Sequence, residues 1–157
     1  MVKILFVCLG NICRSPMAEF VMKDLVEKAG LREQFHIESA GTYYEYGPVY
    51  PPARKKLAEH GINCEGKYSR QLQQADYGVF DLIVGMDRLN MVSMEHIFKG
   101  DPAGKVHLLM DYTGRPGNIE DPWYTGDFET AWRDIWEGCQ GLLAHLQGPA
   151  GQANAGL

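Results

Sequence analysis

No apolar run in the 157 residues approaches the roughly 20 needed to cross a bilayer, so no membrane span is expected. An excess of positive charge is also missing. Lys and Arg number 15 against 20 Asp and Glu, a formal net charge of −5. That balance argues against nucleic acid as a partner, while leaving room for a local basic pocket. Cysteine is scarce, with only Cys8, Cys13, Cys64 and Cys139. Without a secretory pattern these are read as reduced thiols of a cytoplasmic protein, not as a disulfide framework. Cys8 and Cys13 are spaced almost like a zinc knuckle, but no second Cys/His pair follows at ligand spacing, so zinc is set aside. The first nine residues are apolar apart from Lys3. The run breaks at Gly10-Asn11 with no cleavage-site pattern after it, and it reads as a buried strand instead of a leader. Repeats, linkers and low-complexity blocks are absent up to a Gly/Ala/Gln-rich end. One domain over 1–147 and a flexible tail over 148–157 are expected.

What is present is a globular composition, 45% hydrophobic and 22% charged, in a length that suits one domain with a sizeable core. Residues 2–7 form a continuous apolar run, the mark of a strand covered on both faces. Further strands are expected over 36–39, 80–84 and 105–109, with helices over 16–29, 52–60, 87–98 and 128–146. A short helix over 69–75 and a long loop over 110–124 complete the pattern. Strands alternating with helices imply a single-domain α/β fold: an open, four-stranded parallel sheet with helices on both faces, flavodoxin-like or Rossmann-like. In such sheets ligands bind at the carboxyl ends of the strands. The segments 8–15, 40–50, 85–87 and 110–124 lie at that edge, and the other loops are discounted for chemistry.

The first strand runs into Cys8-Leu9-Gly10-Asn11-Ile12-Cys13-Arg14-Ser15, and Pro16 then opens a helix. Gly10 and Asn11 tolerate the positive φ of a tight anion-cradling loop. Ser15 is a good N-cap and Pro16 a good first helical residue. Loop amides and a helix N-terminus would converge on one anion, a phosphate or similar oxyanion. A thiolate is a useful nucleophile, and it is favoured beside a helix N-terminus and a cation. The planar fork of Arg14 can hold two phosphate oxygens, which a lysine cannot do. Cys8 is therefore the candidate nucleophile. Displacing a tyrosine oxygen needs a proton donor, for which Asp87, Asp111 and Asp121 are candidates. Asp121 is favoured because Trp123 and Tyr124 follow it and can wall a phenyl ring, although Asp-Pro also marks turns. Asp101-Pro102 has the same dipeptide at the wrong edge and is read as a turn only. The run Tyr43-Tyr44-Glu45-Tyr46 is either a pocket rim or the decoration of a surface loop, and its place at the carboxyl edge favours the rim. A catalytically idle phosphotyrosine-binding module would need neither Cys8 nor Asp121, and a flavodoxin-like nucleotide binder would lack the cysteine–arginine pair.

With these residues the sequence resembles the low-molecular-weight protein tyrosine phosphatase family over nearly its whole length. The resemblance rests on residues 7–16, on Ser39-Ala40-Gly41-Thr42, on Ser69-Arg70-Gln71-Leu72, on Gly85-Met86-Asp87 and on Asp121-Pro122-Trp123-Tyr124. It implies a four-stranded parallel sheet, a mechanism with no metal or cofactor, and a phosphotyrosine-containing protein as substrate. It makes Cys8 the nucleophile, Arg14 the phosphate clamp and Asp121 the general acid and later base. Leu9, Gly10, Asn11, Ile12, Cys13, Ser15, Tyr46, Trp123 and Tyr124 would form the binding site. Within it, Ser15 would donate a hydrogen bond to the thiolate, and Asn11 would hold the loop with help from Ser39. Cys13 would be able to form a reversible disulfide with Cys8. Many members carry a His just before the Ala/Ser-Arg-Gln motif, where this chain has Lys67-Tyr68. Arsenate reductases share the loop but need further cysteines near the third strand, and 80–98 contains none. Arginine phosphatases of the family tend to carry Thr where this chain has Ile12.

Overall fold

Four short apolar segments become the strands of one parallel sheet. They are β1 (Val2–Cys8), β2 (Phe35–Gly41), β3 (Leu82–Gly85) and β4 (Val106–Leu108), in the spatial order β2-β1-β3-β4. The structure, a computed structural model, describes residues 1–43 and 47–155, with side chains described up to 148. β1 is central because Ile4, Leu5, Phe6 and Val7 are all fully buried. Each such side chain is worth about 1.5–3 kcal/mol when removed from water, so the most apolar strand takes the most covered place. Strand periodicity sends Ile4, Phe6 and Cys8 into one core layer and Leu5 and Val7 into the other.

The first layer is closed by α1 (Arg14–Lys28), α2 (Pro51–Glu59) and α6 (Phe128–Ala155), through Met17, Val21, Leu57, Trp132 and Ile135. The second is closed by Phe80 after the one-turn helix α3 (Asp76–Val79), and by Met94 and Phe98 of α4 (Arg88–Phe98). α6 carries glycines in mid-helix despite their helix cost of about 1 kcal/mol. At Gly141 the reason is close approach: a Cβ there would lie 1.9 Å from the carbonyl oxygen of Tyr112, in a 3-10 turn over Leu109–Tyr112. Gly148 leaves helical geometry, at φ 53° and ψ −177°. Among the described residues no helix is long and apolar enough to cross a membrane.

From β1 the chain crosses to β2 on one side and later returns to β3 on the other. The carboxyl end of β1 is thus the topological switch point, where an open α/β sheet leaves a crevice. Cys8 is the last residue of that strand.

Two expectations need correction. Residues 69–75 are not a helix; the helix begins only at Asp76. Arg70 O accepts from Gly41 N at 2.9 Å and Leu72 N donates to Gly41 O at 2.8 Å, so the segment is bridged to the end of β2 instead of coiling on itself. This also brings it to the carboxyl edge, which the sequence reading limits to 8–15, 40–50, 85–87 and 110–124. The 110–124 segment, in turn, is not wholly irregular: the 3-10 turn opens it, and α5 (Pro122–Thr125) closes it.

Candidate active site

The loop after β1 is braced from outside through its carbonyls. Cys8 O, Leu9 O and Ile12 O each accept at 2.9 Å, from the amides of Thr42, Tyr43 and Tyr50. One residue, not two, makes the sharp turn. Asn11 sits in the left-handed region at φ 57°, while Gly10 is not among the positive-φ residues. A Cβ on Gly10 would meet nothing nearer than Ile12 Cγ1 at 3.8 Å, so the glycine is not demanded there by space either. Gly41 is different. A Cβ on it would lie 2.8 Å from Leu9 O and 3.1 Å from Gly10 C, so the loop passes against the bare backbone end of β2.

α1 begins at Arg14, with Cys13 in the N-cap position and no side-chain cap. Ser15, expected as the cap, lies inside the first turn because its polar groups are used elsewhere. Its amide is 3.4 Å and its hydroxyl 3.0 Å from Cys8 Sγ. Asn11 Nδ2 donates to Ser15 Oγ at 2.8 Å, which occupies an acceptor position and leaves the serine proton to point at the sulfur.

Arg14 is 2% exposed. Its Nη1 donates to Asp87 Oδ2 at 2.6 Å and to Ile119 O at 2.8 Å; its Nη2 lies 3.3 Å from Asp121 Oδ2. Burial works against the guanidinium charge, but the Cys8 sulfur, the Asp87 hydrogen bond and Asp121 outweigh it, and the net shift of its pKa is upward. Of the three candidate acids, Asp121 alone lines the cavity that holds Cys8. Asp87 is committed on both oxygens, to Arg14 and to the amide of Asn90 as the N-cap of α4. Asp111 lies in a separate cavity and faces Leu108 N at 3.4 Å. Asp101, the turn aspartate, takes Tyr77 Oη and the amides of Lys105 and Val106.

The cavity mouth is apolar. Leu9, Ile12, Tyr43, Trp123 and Tyr124 surround the opening over Cys8, Gly10, Cys13, Arg14 and Asp121. Tyr50 stands behind Trp123 with ring centroids 4.7 Å apart. Tyr46, expected at the rim, lies outside the described residues. Among the described residues no group of three or more His, Cys, Asp or Glu side chains is placed to hold a metal ion.

The sequence model of the low molecular weight phosphotyrosine protein phosphatases matches residues 3–150. The chain belongs to this family. A low molecular weight protein-tyrosine-phosphatase of Bacillus subtilis, YfkJ, is 37% identical over 151 residues, covering 94% of this chain and 97% of the relative. Its crystal structure superposes with a TM-score of 0.91, over 94% of this chain and 95% of the other. A Drosophila arginine phosphatase is also similar, at 34% identity and a TM-score of 0.85, over 94% and 99% of the two chains.

In this phosphatase a buried polar chain stands behind the loop, and most of it was not anticipated. Asn11 Nδ2 also donates to Ser39 Oγ at 3.0 Å, and Ser39 Oγ donates to Glu19 Oε1 at 2.5 Å. Glu19, 4% exposed, is paired with Lys67 at 3.1 Å and Lys23 at 2.6 Å. Asn11 Oδ1 accepts from the amide of Arg70 at 3.0 Å. Asn11 and Ser15 are therefore buried behind the loop and do not line the cavity. The one sequence signal for Glu19 was a charged residue on the apolar face of α1. Lys67 had been noted only as a departure from the family's usual His. Beside Cys8, the Cys13 thiol is pushed up to about 12, by burial first and then by Cys8 and Asp121, so it stays a neutral thiol near pH 7.

Proposed function

We propose that this chain is a protein-tyrosine phosphatase of the cytoplasm, hydrolysing phosphotyrosine and small aryl phosphates without a cofactor through a phosphoryl group carried on Cys8. The observation that supports this best is the convergence of Cys8, Arg14 and Asp121 on one cavity whose mouth is apolar and aromatic.

The phosphate enters the loop and the Arg14 edge left by Nη1, which stays with Asp87 and Ile119. Taking the fork releases Asp121 Oδ2 from its 3.3 Å contact with Nη2. The Cys8 sulfur attacks phosphorus as the thiolate, the S–P bond forms, and the bond to the tyrosine oxygen breaks. The leaving oxygen takes a proton from Asp121, whose other oxygen is fixed by Trp123 N at 3.0 Å. In the second step water attacks phosphorus and gives its proton to Asp121. The S–P bond breaks, releasing inorganic phosphate and the thiolate. Ser15 supports the sulfur in both of its free states, and the aromatic wall holds the phenyl ring.

Phosphoarginine is the competing substrate, since similar structures include an arginine phosphatase. The branched apolar Ile12 in the cavity lining favours an apolar aromatic ring over a polar guanidinium group. Phosphate release from phosphotyrosine, phosphoarginine and phosphoserine peptides of one sequence separates the readings. Phosphotyrosine is expected to be turned over fastest, and a phosphoarginine rate above it would overturn the reading.

A further inference from the structure

We propose that a groove on the far side of Arg14 is a subsite for an apolar, leucine-sized side chain next to the phosphotyrosine of a protein substrate. This rests on the phosphotyrosine reading. The groove runs between the loop after β1 and the start of α4, with Leu9, Leu89 and Tyr124 as apolar walls and Asn118, Glu120 and Arg88 around them. It is continuous with the Cys8 cavity, sharing Leu9, Arg14, Asp121 and Tyr124 with it. A residue flanking a phosphotyrosine seated over Cys8 thus has this groove within reach.

The chemistry of the groove selects its occupant. Leu89 is 77% exposed and Tyr124 75%, two of the most exposed large hydrophobic residues described. A single exposed leucine is ordinary, but three apolar walls facing one groove beside a reactive cavity mark a binding surface. The charges around it do not favour an ion. Arg88 and Glu120 carry opposite signs, and Asp87 and Asp121 both lie against Arg14. With both signs present, a charged side chain meets a like charge as well as an unlike one, so no single sign is matched, whereas Leu9, Leu89 and Tyr124 offer an apolar one its contacts. Nor is the start of α4 open to a second phosphate, because Asp87 Oδ1 and Asn118 Oδ1 already take the amides of Asn90 and Arg88.

The test compares kcat/KM for phosphotyrosyl peptides that differ only at the residue before or after the phosphotyrosine, carrying Leu, Gly, Glu or Lys. Free phosphotyrosine serves as the reference. Leu is expected to exceed Gly about five- to tenfold at one of the two positions, as partial burial of one side chain allows. Glu and Lys are expected near Gly. Leu89→Ala should abolish the preference while turnover of free phosphotyrosine stays unchanged, which also shows that the variant is folded. Equal rates for Leu and Gly, or a preference surviving in Leu89→Ala, would overturn the subsite and leave the phosphotyrosine reading standing. No turnover of any phosphotyrosyl peptide would overturn that reading, and the subsite with it.

Discussion

Three aspartates compete for the role of proton donor, and their surroundings separate them. Asp87 orients Arg14 and caps a helix, Asp111 faces another cavity, and Asp121 stands at the wall over Cys8. A positioned general acid contributes about 10²–10⁴-fold, and most where the leaving group is poor. Asp121→Asn should slow phenyl phosphate and phosphotyrosine by a factor of that order, and a nitrophenyl ester much less in the step that phosphorylates Cys8. Pre-steady-state burst rates for both esters measure this. Asp111→Asn should leave both bursts intact, and a leaving-group effect appearing there instead of in Asp121→Asn would transfer the role. Asp87→Asn should impair binding of inorganic phosphate as well, because it loosens the guanidinium that Asp121→Asn leaves anchored.

At the scale of the element, the phosphate loop is held by what lies outside it. Its carbonyls, Asn11 and the bare end of β2 fix its path, and catalysis falls steeply, about 10²-fold, when reacting groups move by around an ångström. Gly41→Ala places a methyl 2.8 Å from Leu9 O, at a residue whose own backbone is an extended strand. It should lower kcat/KM by about that factor while shifting the thermal midpoint only modestly. Activity equal to the parent would mean the loop tolerates displacement. The same loop marks the limit of what the sequence discloses. The order Cys8 to Pro16, the Gly stop after α1 and the apolar run of β1 are local patterns, and they placed the sheet, most helices and the Cys8–Arg14 pair. The contacts of Asn11, Glu19, Ser39, Lys67 and Arg70 join residues up to 59 positions apart, as between Asn11 and Arg70. No periodicity announces them. Residues 69–75 were misread for the same reason: their backbone partner is Gly41, on a different element. Ser15 has the composition of a cap; the family resemblance, and not its local pattern, points its hydroxyl at the Cys8 sulfur, 3.0 Å away.

The whole molecule carries a consequence for stability in alkali. The Cys13 thiol and the Tyr112 phenol are each pushed up to about 12, burial being the largest cause, and burial pushes the Cys139 thiol up as well. In the unfolded chain thiols ionise near pH 9 and the phenol near pH 10 (about 8.5 and 10 in free peptides). Below those values both states hold the proton and these groups leave stability unchanged with pH. Above them the unfolded chain ionises while the folded one does not, so stability falls as pH rises, by up to about 1.4 kcal/mol per pH unit for each group. The urea midpoint should therefore decline above about pH 9, and Cys139→Ala should make the decline shallower. An unchanged slope in that variant would show that the buried thiol does not govern it.

The most direct test of Cys8 as the carrier of the phosphoryl group is to trap it. Rapid acid quenching during turnover of a nitrophenyl phosphate by Asp121→Asn, in which phosphorylation of Cys8 is little slowed and hydrolysis of the intermediate is slowed, should leave close to one phosphoryl group per chain. Peptide mass spectrometry should locate it on Cys8, with none in Cys8→Ser treated alike. A phosphoryl group on Cys13 or on any other side chain, or steady turnover by Cys8→Ser at the parent rate, would contradict the mechanism.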